Sequence, residues 1–165
     1  MGKFLKYILP KLIIVGIVLA LDLVAKSVLY GNNTNFIPSL IAFRDCELNT
    51  GGAWSFLSGN VTLLVILTSV FLVVAIIFDI FFKNQHKLYI VSFSFILGGA
   101  IGNLIDRIVF GGVRDFIFFE FMPTFPTFNL ADCFLCVGFI LLAIFVIFIY
   151  KGSNQDDGQK KDKKS

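Results

Sequence analysis

The chain has 165 residues, 57% of them apolar and only 15% charged, with a mean hydropathy of +0.87 and 21 phenylalanines. A soluble domain usually carries about 25% charge, and here residues 61–78, 88–105 and 133–150 carry none at all. Water is excluded as the only solvent: each stretch is 18 residues long, and at about 1.5 Å per residue it approaches, with its flanks, a hydrocarbon core of about 30 Å.

The first apolar segment, residues 12–30, follows Lys3, Lys6 and Lys11 and is interrupted by Asp22 and Lys26. A cleavable signal peptide is the rival reading, but no small-x-small site follows the apolar run and charges stand where that site belongs. The segment therefore reads as a retained helix. Asp22 and Lys26 share one helix face at i,i+4 and can pair directly, which suits an ion pair that fixes the helix against a bundle. The other spans read as 61–82, 88–109 and 133–150, with residues 1–151 forming one membrane-embedded domain. Residues 152–165, rich in Lys, Asp, Gln and Gly, read as a disordered cytoplasmic tail.

Orientation follows from the basic residues. Lys3, Lys6, Lys11, Lys83, Lys87, Lys151, Lys160, Lys161, Lys163 and Lys164 are ten of the fourteen Lys and Arg residues, and all fall on one side of the four spans. The positive-inside rule makes that side cytoplasmic, with both termini there. Because the basic residues line the membrane, the net charge of +3 is no nucleic-acid signature. Cys46, Cys133 and Cys136 are too few and too unevenly placed for a disulfide framework, and the latter two read as small packing residues.

Two segments remain outside. Residues 31–60, with Asn32, Asn33, Pro38 and an alternation near 43–48, read as turns and short strands, and residues 110–132 as a Phe-rich loop partly sunk in the interface. Several polar residues converge on the outer rim. Counted from Lys87, Asn103 lies about 24 Å and Arg107 about 30 Å along the third span, while Asp132 opens the fourth, with Asn129 one turn before it. Gly98 and Gly102 form a small-xxx-small face that lets another helix approach. Asp115 stands in the loop just before, in an apolar, strand-like run behind Arg114; pairing with Arg114 or Arg107 is its structural alternative. Asn129 or Asp132 alone could be a helix cap.

Two carboxylates at one depth invite aspartic-protease chemistry. In low dielectric they cannot both ionise cheaply, so one proton is shared; the ionised member can deprotonate a water while the protonated one donates to a scissile carbonyl oxygen. This needs no metal and no cofactor. The single histidine, His86, falls in a cytoplasmic loop, which argues against Ser-His, Cys-His and zinc systems. A Ser-Lys dyad on Lys26 is disfavoured because Asp22 keeps that lysine charged. Two other classes compete. A small transporter or proton-conducting subunit would use Asp22, Lys26 and Arg107 as a relay, and a membrane scaffold would leave the rim carboxylates without a purpose.

The chain resembles one family closely, the lipoprotein signal peptidases, or type II signal peptidases, of bacteria. The matching blocks are Asp22-x-x-x-Lys26; residues 49–54, with Asn49, Gly51 and Trp54; residues 98–107, with Gly98, Gly99, Gly102, Asn103, Asp106 and Arg107; Asp115 with its neighbours; and residues 128–132 with Asn129 and Asp132. The resemblance implies an all-α polytopic fold, a bundle of four transmembrane helices with a small extracytoplasmic β cradle in the first outer loop and a short interfacial helix in the second. It implies that Asp115 and Asp132 are the catalytic pair of an intramembrane aspartyl endopeptidase. Asn49, Gly51, Asn103, Arg107 and Asn129 would bind substrate or support the dyad, and Asp22, Lys26 and Asp106 would support the fold. The implied substrates are diacylglyceryl-modified prolipoproteins, cut on the amino side of the lipidated cysteine, and the implied setting is the bacterial cytoplasmic membrane, with the enzyme a monomer among membrane lipids. Arg114 and Gly52 depart from the family's usual residues. Neighbours on an extended segment point oppositely, so Arg114 need not face the dyad.

Overall fold

The computed structural model describes residues 3–52 and 57–150. Four helices make the bundle: α1 (Lys3–Leu29), α2 (Val61–Phe82), α3 (Lys87–Phe110) and α4 (Leu130–Ile144), the last prolonged by a π-helical segment, Phe145–Tyr150. Each is long and apolar enough to cross a membrane. Three strands, β1 (Thr34–Ile37), β2 (Ile41–Phe43) and β3 (Ile117–Phe119), form an antiparallel sheet in the order β1-β2-β3.

The helices are patterned for hydrocarbon. On α1, Leu12, Ile13, Ile17, Leu21, Val24 and Val28 are exposed, whereas Lys11, Val18, Asp22 and Lys26 are buried. The buried members 18, 22 and 26 recur at i,i+4 and so form one face. Lipid solvates the apolar face, so the polar face must find partners within the protein. α3 is the central helix, packed on α1, α2 and α4 and the most buried of the four.

Glycines allow that close packing. A Cβ on Gly99 would stand 2.6 Å from the Ala131 carbonyl oxygen of α4, and one on Gly98 would stand 2.5 Å from the Val18 side chain of α1. On α4, a Cβ at Gly138 would meet the Ser92 carbonyl oxygen at 2.9 Å. Small residues at such crossings bring backbones together where no hydrophobic effect drives association.

The far end of the bundle, beside the α2–α3 turn, holds a second polar knot that the uncharged-stretch reading passes over. Asp79, in the last turn of α2, is buried and accepts hydrogen bonds from Tyr7 Oη at 2.7 Å and Tyr89 Oη at 2.8 Å. It also pairs with Lys11, whose ammonium lies 3.7 Å from the Tyr7 ring centroid. By sequence, Lys11 is a cytoplasmic flank ahead of a span starting near residue 12. Instead α1 begins at Lys3, and Lys11 turns inward because Asp79 needs a counter-charge. His86 is exposed, and its Nδ1 accepts from Leu88 N at 3.2 Å, capping α3.

The sheet ties the two outer loops together. β1 and β2 form a hairpin, and β3, from the second loop, pairs with β2 through Ile41↔Phe119, Ala42↔Phe118 and Phe43↔Ile117. The short helix implied for the second loop is absent among the described residues 111–129: β-favouring Ile117, Phe118 and Phe119 complete the sheet, while Pro123 and Pro126 interrupt any helix. Arg44 and Glu120 pair at 2.6 Å across the sheet's rim. Trp54 and residues 151–165 lie outside the described residues.

The packing yields a stability prediction. Gly99→Ala forces a methyl against backbone and should cost about 1–3 kcal/mol. At Gly16, where nothing lies within 4 Å of a Cβ, Ala should stabilise by about 0.5–1 kcal/mol. Thermal unfolding in detergent measures both, and equal effects would contradict the close α3–α4 approach.

Candidate active site

The site is built where the sheet meets the outer ends of α3 and α4. Asn49 and Val113 exchange two backbone hydrogen bonds, each 2.9 Å, so the first loop is paired residue for residue with the second. Phe128 is paired with Ile117 in the same way, with bonds of 2.9 and 3.1 Å. Asn49, Asp115 and Asn129 each lie one or two positions from these pairings or within them, which fixes the backbone beneath all three. Asn129 is also the N-cap of α4: its Oδ1 accepts from Asp132 N at 3.1 Å, while Asp132 Oδ2 accepts from Asn129 N at 3.1 Å. Such reciprocal capping satisfies two otherwise unpaired amides at a helix start.

Three asparagine amides converge on the two carboxylates. Asp115 Oδ1 accepts from Asn129 Nδ2 at 2.6 Å and its Oδ2 from Asn49 Nδ2 at 2.8 Å. Asp132 Oδ1 accepts from Asn103 Nδ2 at 2.8 Å. Asp115 is 2% exposed, and burial first, then the neighbouring Asp132 charge, push its carboxyl up to about 7 against the opposing pull of the Asn49 and Asn129 amides. Neither carboxylate is tied up by a cation: Arg114 turns away and joins Asp106 at 2.7 Å. Asp115 thus takes neither of the arginine partners expected for a purely structural loop carboxylate.

Asp115 and Asp132 open onto one cavity of about 730 Å³, lined also by Asn49, Asn103 and Arg107 and by the apolar side chains of Phe119, Phe128, Leu135 and Phe139. Arg107 donates from Nη2 to the Gly51 carbonyl oxygen at 3.1 Å. Its Nε is buried and has no hydrogen-bond partner among the described residues. Gly51 thus acts from behind, seating the arginine, and its own N–H donates to Asn49 Oδ1 at 2.9 Å.

Asp22, Lys26 and Asp106 do not line the cavity and join one another instead. Asp22 and Lys26 pair at 2.9 Å, Lys26 reaches Asp106 at 3.4 Å, and Asp22 Oδ1 accepts from Ala131 N at 2.9 Å at the start of α4. Asp106 Oδ2 accepts from Arg114 N at 3.0 Å. The asparagines and aspartates read from the sequence are brought together. The aromatic wall is not legible residue by residue, because a phenylalanine in a chain holding 21 of them carries no positional signal. Cys136, expected as a packing residue, is instead exposed on the cavity side of α4, and Cys133 is half-buried; one face of the first turns of α4 lines the cavity, while Ala131 packs against α3.

Removing one partner of a buried ion pair leaves an uncompensated charge, so Arg114→Gln should destabilise the protein by about 3 kcal/mol. Asp106→Asn added to it should recover part of that loss, since Lys26 keeps Asp22. Unfolding temperatures of the two variants check this, and an undiminished loss in the double variant would contradict it.

Known proteins similar to this chain fall in one family. A family model described as signal peptidase (SPase) II matches residues 14–148. A lipoprotein signal peptidase of Enterococcus faecalis is 37% identical over 135 residues, covering 81% of this chain and 81% of that protein. One from Staphylococcus aureus is 36% identical over 144 residues, covering 86% of this chain and 82% of its own length. Among solved structures, a bacterial membrane enzyme determined by the in meso method superposes with a TM-score of 0.75 at 32% identity, covering 87% of this chain and 90% of that one. Four membrane-spanning helices, a cavity lined by Asp115 and Asp132 and a family match running from the first span into the fourth lead to one assignment: the chain belongs to the signal peptidase II family and is a multi-pass membrane peptidase.

Proposed function

We propose that this peptidase is an intramembrane aspartyl endopeptidase that removes signal peptides from diacylglyceryl-modified prolipoproteins, cutting on the amino side of the lipidated cysteine. The observation that carries the reading is the pair Asp115 and Asp132, opening on one cavity and held by amide donors rather than by cations. With one proton between them, the ionised member takes a proton from the attacking water, and the other donates to the scissile carbonyl oxygen. The pair titrates as a unit, so the proton is assigned to the dyad rather than to either member. The Nε of Arg107, without a hydrogen-bond partner among the described residues, supplies a donor for a substrate carbonyl, and the apolar wall suits an acyl chain or an apolar signal segment. The transporter reading loses its support because Asp22 and Lys26 are committed to each other, to Asp106 and to the α4 amide.

A diacylglyceryl cysteine is anchored in the bilayer, so its scissile bond must lie at the interface where the enzyme meets it by lateral diffusion. That places the enzyme in the bacterial cytoplasmic membrane with its site on the extracytoplasmic face. It acts as a monomer, with membrane lipids as its surroundings. Reporters fused after Lys83 and after Ser165 should both register cytoplasm, and one inserted near residue 45 the outer side. An outer signal after Lys83 would overturn this topology.

In lipid or detergent the purified protein should cleave a diacylglyceryl-modified lipobox peptide, and Asp115→Asn and Asp132→Asn should each abolish cleavage while remaining folded. Turnover by either variant at the parent rate would refute the dyad.

The raised Asp115 pKa also fixes a pH dependence. The singly protonated pair persists up to about pH 7, so activity falls as the medium turns more alkaline. The Asn49 amide favours the ionised carboxylate, so Asn49→Ala should move that alkaline limb to higher pH. A carboxyl whose pKa is raised on folding favours the folded state most below its unfolded value of about 4, and that contribution is lost as pH rises through about 7. Asp115→Asn should therefore raise the unfolding temperature relative to the parent at pH 8 and not at pH 4. Profiles of kcat/KM and unfolding temperature against pH read out both effects.

A further inference from the structure

Lys26 makes one contact that an ion pair with Asp22 does not require. Its Nζ, on a residue 1% exposed, lies 2.9 Å from Asp22 Oδ2, 3.4 Å from Asp106 Oδ2 and 2.9 Å from the Asn103 carbonyl Oδ1. An ammonium donates and accepts nothing; the two carboxylates hold it by charge, and the Asn103 oxygen is the acceptor to which it makes a hydrogen bond. The same Asn103 oxygen also accepts from Asn129 Nδ2 at 3.1 Å. With two donors on its oxygen, the Asn103 amide has one orientation open to it. Rotated by half a turn, its NH2 would face an ammonium and a second NH2, and its oxygen would face the Asp132 carboxylate. All of these would be repulsive contacts between buried groups. The NH2 is thereby aimed at Asp132 Oδ1, 2.8 Å away.

We propose that Lys26 is a positioning residue for peptide hydrolysis: from outside the cavity, its ammonium locks the Asn103 amide so that the amide N–H holds Asp132 Oδ1. The proposal rests on the dyad reading, and on α1 it gives a lysine with no access to substrate a measurable part in turnover. A chain of hydrogen bonds in low dielectric polarises its members, so the positive charge strengthens the N–H that Asn103 presents. The other two asparagines are oriented by neutral donors, Asn49 by the Gly51 amide and Asn129 by the Asp132 amide. Asn103 is the one set by a full charge.

The test is a double-mutant cycle built on Asp22→Asn. That substitution removes the counter-charge but retains a carbonyl to accept from Ala131 N. In this background Lys26→Met is neutral and close in volume, and Asp106 still has Arg114. Four enzymes are compared: Asp22→Asn alone, and with Lys26→Met, with Asn103→Ala, and with both. Losing a hydrogen bond from a charged donor should lower kcat about ten-fold where Asn103 is present, and less than about two-fold on the Asn103→Ala background, with KM unchanged in both cases. Equal losses on the two backgrounds, or a loss that merely follows the unfolded fraction at the assay temperature, would overturn the proposal. If the variants fold poorly or turn over too slowly to read, the parent protein decides: in lipid bilayers, dipolar recoupling between the Lys26 side-chain nitrogen and the Asn103 carbonyl carbon should give a cross-peak, and its absence overturns the proposal. Asp132→Asn, run alongside, separates the two readings. An active Asp132→Asn enzyme removes the dyad itself, whereas a dead one with a flat Lys26 cycle removes only the positioning role.

Discussion

The ammonium of Lys26 is flanked by Asp22 and Asp106 at 2.9 and 3.4 Å, at a depth where no water competes for any of them. Each of these groups would be prohibitive alone, and together they compel α1 and α3 to meet along one line. Asp22 extends the set to α4 through the Ala131 amide, and Asp106 extends it to the second outer loop through Arg114. One buried charge set thus ties α1 to the three elements α3, α4 and the second outer loop, which line the cavity. The glycines at 98 and 102 are the steric counterpart, because the Lys26–Asp106 contact between α1 and α3 requires that close approach of the two backbones, and Gly99 allows the same approach of α4.

The strands have a different task. Neither outer loop could hold Asn49 or Asp115 to hydrogen-bonding precision by itself, since a free loop loses much conformational entropy when ordered. Cross-pairing of the loops, from β2 against β3 to the Asn49–Val113 bridge, spreads that cost over a ladder of backbone bonds. It also leaves side chains at alternate positions facing opposite ways. Arg114 and Asp115 are neighbours on such a segment: one turns to Asp106, and the other to the asparagines. Arg114 is thereby removed from the carboxylate it adjoins.

The spans, the Asp22–Lys26 pair and the convergence of asparagines and aspartates at one rim are legible in the sequence because charge is rare in this chain and helical spacing converts position into depth. The Tyr7–Lys11–Asp79–Tyr89 knot is not. Asp79 follows directly after an uncharged stretch that already suffices for a span, and Lys11 looks like one more flanking lysine. The clue available is that α2 needs to run past Asp79 to Phe82, which places that carboxylate inside the helix and in want of a cation. The second outer loop holds a strand where a short helix is implied, because strand pairing with β2 is a long-range event that local composition does not encode. The same holds for the exposure of Cys136, which depends on where the cavity opens.

Charge balance joins the two halves of the structure. Lys11 and Asp79 cancel each other, and Lys26 and Arg114 cancel Asp22 and Asp106. What is left around the cavity is Arg107 with Asp115 and Asp132, one cation against two carboxyls. A single proton on the dyad brings this remainder to neutrality as well. Glu47 also lines the cavity but is exposed, where solvent screens it. In the proposed reaction an apolar, lipid-bearing segment enters and displaces water, and any residual charge then becomes more expensive. In that reading substrate entry favours the singly protonated pair, the form that the proposed aspartyl mechanism requires. The burial that raises the Asp115 pKa acts in the same direction as a substrate that deepens it.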